Sequence, residues 1–158
     1  MALTTVQQGL LGSPVAGNGP AFNAYLATAQ NISAATYTKV NLDTELFDTN
    51  SNFASSRFTP TVAGYYQING MLFFDSTVTV NSPFAINIYK NGGGYATNNT
   101  YVSSGGSGMT LPISTIVYLN GSTDYVELYG YIGGGSGTLK FAAGATTTYM
   151  NGSLIRAA

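Results

Sequence analysis

Turn signals recur along the whole length of this 158-residue chain, and the segments between them are short. The pairs Asn91-Gly92 and Asn120-Gly121 are typical of tight hairpin turns, and glycine-rich stretches at residues 92–94, 105–108 and 133–137 are interpreted as loops. No segment shows the periodicity of an amphipathic helix. Eight segments of strand length lie between the turns, at residues 21–28, 36–42, 52–59, 65–74, 84–90, 109–119, 125–132 and 146–156.

Alternation of apolar residues within these segments predicts which side chains form the core. It is clearest at residues 65–74, where Tyr66, Ile68, Leu72 and Phe74 share one face of a strand. The number and spacing of the strands predict an all-β fold of eight or more short strands, a β-sandwich or a jelly roll. We expect the interior of this sandwich to contain Tyr66, Ile68, Val126, Leu128, Met150 and Leu154.

The first 19 residues are small, polar and interrupted by glycine. They are predicted to form an extended N-terminal arm, residues 1–19, ahead of one jelly-roll domain over residues 20–158. A frayed terminus is the alternative interpretation. The opening MALTTVQQGLLGS lacks the basic stretch and apolar run of a secretory signal. Four aliphatic side chains of the arm are candidates for binding a partner: Leu3, Val6, Leu10 and Leu11.

Charged residues make up only 7% of the chain, and the net charge is −1. This balance gives no electrostatic reason to bind nucleic acid. No apolar run approaches the length of about 18 residues that membrane insertion requires. A surface with so little charge favours association, so we expect much of it to be buried against partner chains.

Histidine and cysteine are both absent. Nucleophilic catalysis assisted by histidine and metal sites built on histidine or cysteine are therefore excluded, and we predict no catalytic residue, no cofactor and no enzymatic activity. Asp43, Glu45 and Asp48 form a weak candidate metal site, because carboxylate oxygens can bind calcium. Their spacing is not that of a defined calcium loop, and solvated charges that protect an edge strand are the favoured alternative.

Five segments, in order along residues 20–158, resemble the jelly-roll family of tumour necrosis factor and the globular heads of the first complement component. They are PAFNA from residue 20, FTPTVAGYYQI from residue 58, INIYKNG from residue 86, DYVEL from residue 124 and MNGSLI from residue 150. Met150 stands where the family prefers phenylalanine. The resemblance implies an all-β fold, an antiparallel jelly-roll β-sandwich of about ten strands.

Other segments resemble bacteriophage proteins. FTPTVAGYYQ, VYLNGSTDYVE and the C-terminal LIRAA look like domains at the ends of phage tail-fibre and other virion proteins, and ALTTVQQGLLGS is similar to the starts of phage structural proteins. This resemblance implies a homotrimer located in the virion after synthesis in the cytoplasm of the host bacterium.

Family topology would place the strands that contain Phe22, Tyr66, Val117 and Leu154 in one sheet. The face of that sheet opposite the core is also apolar, whereas a solvated face should alternate to polar residues. A large apolar patch marks an interface, although scattered surface apolar residues are the alternative. The predicted trimer interface contains Tyr65, Met71, Phe73, Ile116, Tyr118, Tyr149 and Ile155.

Tyr125, Tyr129 and Tyr131 lie on the face of their strand opposite Val126 and Leu128. Tyrosine combines a flat apolar ring with a polar hydroxyl, so an exposed stripe of tyrosines can stack on a sugar or dock a protein. High β-propensity and cover for the sheet are the alternative explanation. The three tyrosines are therefore candidates for partner binding.

Two functions remain open. The first is a homotrimeric capsid decoration (cement) protein, whose arm would bind the major capsid protein or another virion protein. Only about 19 residues precede the jelly roll, and no heptad, collagen-like or β-helix shaft is present, which favours this compact role. The second is the receptor-binding tip of a tail or head fibre, which would recognise a glycan or protein on the host surface.

Overall fold

The computed structural model describes residues 19–78, 81–102 and 106–158. Every regular element in these residues is a β-strand, and none is a helix that could cross a membrane. The strands are β1 (Ala21–Tyr25), β2 (Gln30–Asn31), β3 (Thr38–Lys39), β4 (Thr44–Asp48), β5 (Phe53–Ala54), β6 (Arg57–Phe58), β7 (Gly64–Val78), β8 (Pro83–Lys90), β9 (Gly93–Tyr101), β10 (Gly106–Leu119), β11 (Val126–Ile132), β12 (Gly135–Ser136), β13 (Lys140–Phe141) and β14 (Tyr149–Ala157). Six of them have only two residues, and the eight longer strands form the framework of a jelly roll.

The strands form two antiparallel sheets packed as a sandwich, which confirms the predicted fold class. In the eight-stranded sheet, β7 pairs with β10 on one side and with β14 on the other, and β1 and β4 extend the sheet beyond β14. The short strands β2, β12 and β13 complete it. The six-stranded sheet has the order β5–β6–β11–β8–β9, and β3 also pairs with β11.

The predicted sheet membership is also confirmed. Phe22 lies in β1, Tyr66 in β7, Val117 in β10 and Leu154 in β14, and these four strands belong to the eight-stranded sheet. β7 is its longest strand and is paired along both edges, so its alternation determines which side chains of the sheet point inward.

Parts of the glycine-rich stretches interpreted as loops are strands instead. Asn91 (φ 53°) and Gly92 (φ 79°) form the two-residue turn between β8 and β9, as in the hairpin turns that require positive φ at both positions. Gly93 already pairs with Lys90 and begins β9. Likewise Gly106 pairs with Val78 at the start of β10. These glycines adopt strand geometry because a partner strand offers them ladder hydrogen bonds, which local sequence does not reveal.

The first half of the chain differs most from the predicted strands. Residues 36–42 contribute only the two residues of β3, and residues 52–59 divide into β5 and β6 because Ser55 (φ 52°) and Ser56 (φ 57°) form a turn. β4 was not predicted. It is an edge strand with exposed or half-buried side chains, so no alternating apolar pattern marks it.

The predicted core lies between the two sheets. Leu154 is partly buried against it, and the other predicted core residues are fully buried: Tyr66, Ile68, Val126, Leu128 and Met150. The Tyr66 hydroxyl donates to the Val62 carbonyl at 2.6 Å, and burial raises the pKa of this phenol to about 12. The rings of Phe53 and Phe58 each stack on Phe22, and Phe58 meets Tyr66 edge to face.

Two glycines let the sheets approach closely at the centre. A Cβ atom on Gly70 of β7 would lie 3.0 Å from Leu128 Cδ1 of β11, and a Cβ on Gly130 of β11 would lie 2.5 Å from Leu72 Cδ2 of β7. Each sheet therefore places a leucine against the other sheet's glycine. This reciprocal packing makes both leucines sensitive to truncation, because the surrounding backbone cannot collapse into the space they leave.

We expect Leu128→Ala to lower the free energy of unfolding by about 2–5 kcal/mol, the range for a buried leucine that leaves a cavity. Chemical denaturation followed by circular dichroism measures this change. Tyr101→Ala is the control, since Tyr101 is 68% exposed on β9, and it should change stability by less than about 0.5 kcal/mol. An equally small change for Leu128→Ala would contradict the inward orientation of this side chain.

Candidate interaction surfaces

The outer face of the eight-stranded sheet is apolar at one end. Tyr65, Ile116, Tyr118 and Ile155 are between 40% and 51% exposed there. The rings of Tyr65 and Tyr118 meet edge to face at 5.5 Å, as expected for residues that the register places opposite each other. An open groove of about 510 Å³ lies beside them, lined by Tyr65, Ile116, Ile155, Arg156, Ala157 and Ala158.

A second apolar band crosses the other end of the same face. Tyr149 of β14 is opposite Met71 of β7, and Met71 is opposite Pro112 of β10. Phe73 follows Met71 on the same face of β7, and all three predicted residues are half-buried. The structure therefore brings all seven residues of the predicted trimer interface to one sheet face, in two bands.

A polar belt, formed by Asn23, Gln67, Asn69, Ser114 and Asn151, separates the two apolar bands. Asn69 Nδ2 donates to Asn151 Oδ1 at 3.0 Å, Ser114 Oγ donates to Asn69 Oδ1 at 2.9 Å, and Gln67 Nε2 donates to Ser114 Oγ at 2.8 Å. Asn23 is next to Asn151 in the register, and its Oδ1 is buried without a hydrogen-bond partner in the described part of the protein. A buried acceptor left unpaired is unfavourable, so this atom marks a place where a donor is missing.

Sequence analysis did not identify the polar belt. Its residues come from β1, β7, β10 and β14, and each alone is an ordinary polar residue on the outward side of a strand. Only the cross-strand register aligns Asn23, Asn151, Asn69 and Ser114 in one row. The sequence feature that could have indicated the belt is asparagine at outward positions of three separate strands, β1, β7 and β14.

The outer face of the six-stranded sheet carries a different surface, which we call the tyrosine face: Tyr37, Tyr89, Tyr125, Tyr129 and Tyr131. Tyr89 and Tyr129 stack with ring centroids 3.9 Å apart, Tyr37 lies 4.7 Å from Tyr131, and Tyr37 is 6.3 Å from Tyr89. The predicted stripe of Tyr125, Tyr129 and Tyr131 is part of this larger group. Tyr37 lies just before β3, and Tyr89 is the last residue but one of β8. Only the pairing of these strands with β11 brings the two tyrosines to this face.

Burial raises the pKa of the Tyr89 and Tyr129 hydroxyls above the ordinary value for tyrosine. The neighbouring Tyr37 adds to the rise in the pKa at Tyr89, and the charge of Glu127 adds to it at Tyr129. Both rings are therefore neutral at physiological pH and offer hydroxyl donors as well as flat faces.

Glu127 is a nearly buried carboxylate beside the tyrosine face, with 3% of its side chain exposed. Its Oε1 accepts from Lys39 Nζ at 2.7 Å and from Arg57 Nη2 at 2.9 Å. The guanidinium of Arg57 also lies 3.7 Å from the centre of the Tyr125 ring, a cation–π contact. Two cations thus converge on one anion, which leaves one excess positive charge next to the tyrosines.

Asn87 lies at the centre of this outer face. It is opposite Tyr129 on β11 and Thr97 on β9, and Tyr89 follows it on the same face of β8. Asn87 is only 3% exposed; its Oδ1 accepts from the Thr97 hydroxyl, while its Nδ2 has no hydrogen-bond partner in the described residues. Asn87 thus resembles Asn23, since each has one buried side-chain atom without a hydrogen-bond partner among the described residues.

Two of the three acidic candidates for a metal site accept hydrogen bonds from backbone amides. Asp43 Oδ1 accepts from the Ala27 amide at 2.7 Å, and Asp48 Oδ2 accepts from the Phe53 amide at 2.7 Å. Glu45 is exposed on β4. In the described residues, no three acidic side chains lie close enough together to hold a metal ion. The arm candidates Leu3, Val6, Leu10 and Leu11 lie outside the described residues.

Comparison with known proteins identifies the fold. No protein-family model and no curated protein matches the sequence. The globular domain of zebrafish complement 1qA has a TM-score of 0.64 and 15% identity, over 88% of this chain and 99% of that domain. Murine APRIL at pH 5.0 has a TM-score of 0.66 and 8% identity, over 87% and 99%. The vertex protein P5 of phage PRD1 has a TM-score of 0.59 and 16% identity, over 89% and 99%.

These similarities show that the chain has the jelly-roll fold of the tumour necrosis factor and complement globular-head group, as its sequence motifs implied. At such low identity the similarity concerns the fold alone.

Replacing Glu127 tests how the charges beside the tyrosine face stabilise the protein. Glu127→Gln should lower the free energy of unfolding by about 1–3 kcal/mol, because two cations lose their anion in a partly buried setting. Asp75→Asn is the control. It removes the 3.1 Å pair with Lys140, in which both side chains are well exposed, and should change stability by at most about 1 kcal/mol. Equal effects of the two substitutions in thermal or chemical denaturation would contradict the proposed stabilisation.

Proposed function

We propose that this protein is a non-enzymatic structural component of a phage particle, which assembles as a homotrimer through the outer face of its eight-stranded sheet. The observation that carries the proposal is the pair of apolar bands on that face. A sheet face left in water normally alternates to polar residues, whereas here Tyr65, Ile116 and Ile155 are about half exposed in one chain.

The composition supports self-association through this face. With 7% charged residues, the chain has few charges to keep copies of itself apart. A closed threefold ring covers the apolar bands of every copy and leaves no free surface for further growth. The trimer would also cover the exposed isoleucines Ile116 and Ile155, which both belong to the eight-stranded sheet.

The polar belt supports a specific arrangement of the copies. Apolar bands alone tolerate sliding, whereas a buried row of amides must align with donors and acceptors on its partner. Asn23 Oδ1 is a buried acceptor at the edge of the belt that no described residue pairs, and an amide donor from a neighbouring copy would satisfy it. The belt therefore offers a register for the trimer, as single polar residues do in helical assemblies.

The available functional groups support a non-enzymatic role. The chain has neither histidine nor cysteine. The two acids nearest the tyrosine face, Asp124 and Glu127, are engaged with cations; a hydrogen bond from Asn91 and contacts with Lys90 hold the pKa of Asp124 below its usual range. Groups held in this way are structural ion pairs and are not poised for acid–base catalysis.

A place in the virion is supported by the structural similarity to a phage vertex protein and by the phage-like sequence segments. Within the virion we favour a capsid decoration protein whose arm, residues 1–19, binds capsid subunits. The alternative is the receptor-binding tip of a fibre, which the tyrosine face favours, since that surface would face outward from the proposed trimer.

The trimer is tested by light scattering coupled to size-exclusion chromatography at micromolar concentration. We expect a mass of three times the 16.4 kDa of one chain. Tyr65→Asp should yield folded monomers, because a charge at the centre of the apolar band must be desolvated on assembly. The matched control is Tyr101→Asp, on the edge of the other sheet, which should stay trimeric. A monomeric wild-type protein, or trimers in both variants, would overturn the proposed interface.

The decoration role is tested by deleting residues 1–19. The shortened protein should remain a folded trimer but no longer bind capsids of its own phage. Little charge is available to hold the arm by salt bridges, so Leu3, Val6, Leu10 and Leu11 and added backbone hydrogen bonds would hold it. Capsid binding equal to that of the full chain would reject the anchoring role of the arm. Attachment of both forms to host cells but to no capsid would favour the receptor-binding function.

A further inference from the structure

The two outer faces differ in the kind of apolar side chain they expose. In the described residues, the large aliphatic side chains that are exposed, Leu46, Ile116 and Ile155, all belong to the eight-stranded sheet. The tyrosine face has aromatic rings surrounded by amides, hydroxyls and charges. Exposed aliphatic side chains suit contact with an apolar surface of another protein chain. Tyrosine rings with polar neighbours suit a ligand that is itself flat, hydroxylated and only partly apolar.

The tyrosine face also has an unused hydrogen-bond donor. Asn87 Nδ2 lies among Tyr89, Tyr129 and Thr97 and has no acceptor in the described part of the chain, although Asn87 is only 3% exposed. The small Ala85 precedes it on the same face of β8, opposite Tyr131. A ligand hydroxyl or ring oxygen that reaches Asn87 when a flanking tyrosine ring turns aside would remove the penalty of the unpaired N–H group.

The charge beside the rings indicates the sign of the ligand. Glu127 neutralises only one of the two cations that contact it, and the side chains of Lys39 and Arg57 remain 27% and 41% exposed. A single excess positive charge is too little for a nucleic-acid backbone, which needs many neutralised phosphates. It matches one carboxylate placed next to a flat apolar ring system.

We propose that the tyrosine face binds an acidic saccharide, with pyranose rings stacked on Tyr129 and Tyr131, a hydroxyl or ring oxygen accepting from Asn87, and a carboxylate near Lys39 and Arg57. This proposal specifies a ligand for the receptor-binding alternative. It rests on the proposed trimer in one respect, since the trimer leaves the tyrosine face uncovered. The sequence pattern identified three of these tyrosines, Tyr125, Tyr129 and Tyr131, and the proposal assigns them a class of ligand.

The test uses the full-length protein with two acidic probes, tetragalacturonate and sialyllactose, and with maltotetraose as a neutral probe. The chain has no tryptophan, so tyrosine fluorescence reports binding directly, and the side-chain amide resonance of Asn87 reports contact at the base of the face. At least one acidic probe should bind more tightly than maltotetraose, and added salt should weaken that binding.

Variants assign the binding to this surface. Tyr129→Ala, Tyr131→Ala and Asn87→Ala should each weaken binding of the acidic probe about tenfold or more, the loss expected for a stacked ring or a desolvated hydrogen bond. Tyr101→Ala on β9 should bind like wild type. Light scattering on each variant separates this inference from the assembly: an intact trimer that binds no saccharide rejects the saccharide site alone.

Three results would overturn the proposal. One is no shift of the Asn87 amide with either acidic probe up to about 10 mM, a concentration above the range of weak specific binding. Another is equal binding of the neutral and acidic probes. The third is unchanged affinity in the Tyr129 and Tyr131 variants. Binding of a host protein to the tyrosine face with no saccharide bound would likewise replace this assignment with a protein receptor.

Discussion

The reciprocal contact between β7 and β11 at the centre of the sandwich is the constraint from which the rest of the structure follows. Leu128 of β11 lies against Gly70 of β7, and Leu72 of β7 lies against Gly130 of β11. This contact sets the distance and the register of the two sheets. Because side chains alternate along a strand, once these residues point inward, every neighbour along β7 and β11 must point inward or outward accordingly.

The two outer faces are consequences of that alternation, and they carry different chemistry. On β7 the outward positions hold Tyr65, Gln67, Asn69 and Met71, which form the centre of two apolar bands and the polar belt. On β11 the outward positions hold tyrosines and Glu127. One sandwich therefore presents a surface suited to copies of itself on one side and a surface suited to a polar, flat ligand on the other.

The few charged side chains in this protein form local ion pairs. Within the described residues, four of the five lysine and arginine side chains form salt bridges, and two of those four share Glu127. Lys39 lies in β3 and Arg57 in β6, and Glu127 lies in β11 between them, so this network holds two short strands to the six-stranded sheet. The side-chain amides of Asn23 and Asn87 are the opposite case, since each has one buried polar atom that no described residue pairs. Both lie on outer faces, where a partner can supply the missing group.

The sequence by itself determined the fold class, the inward residues of the long strands and the apolar character of the face opposite the core. These properties depend on the alternation of apolar and polar residues and on the turn residues within short segments. Residues 65–74, for example, show both the inward and the outward face of β7 directly in the sequence. Tertiary structure alone decided which outward residues become neighbours. Tyr37 joins Tyr131, Asn23 aligns with Asn151 and Asn69, and Gly93 and Gly106 become strand residues only through pairing with distant segments. Such contacts depend on the register between strands far apart in the chain, which the core and the turns set together and which no local pattern encodes.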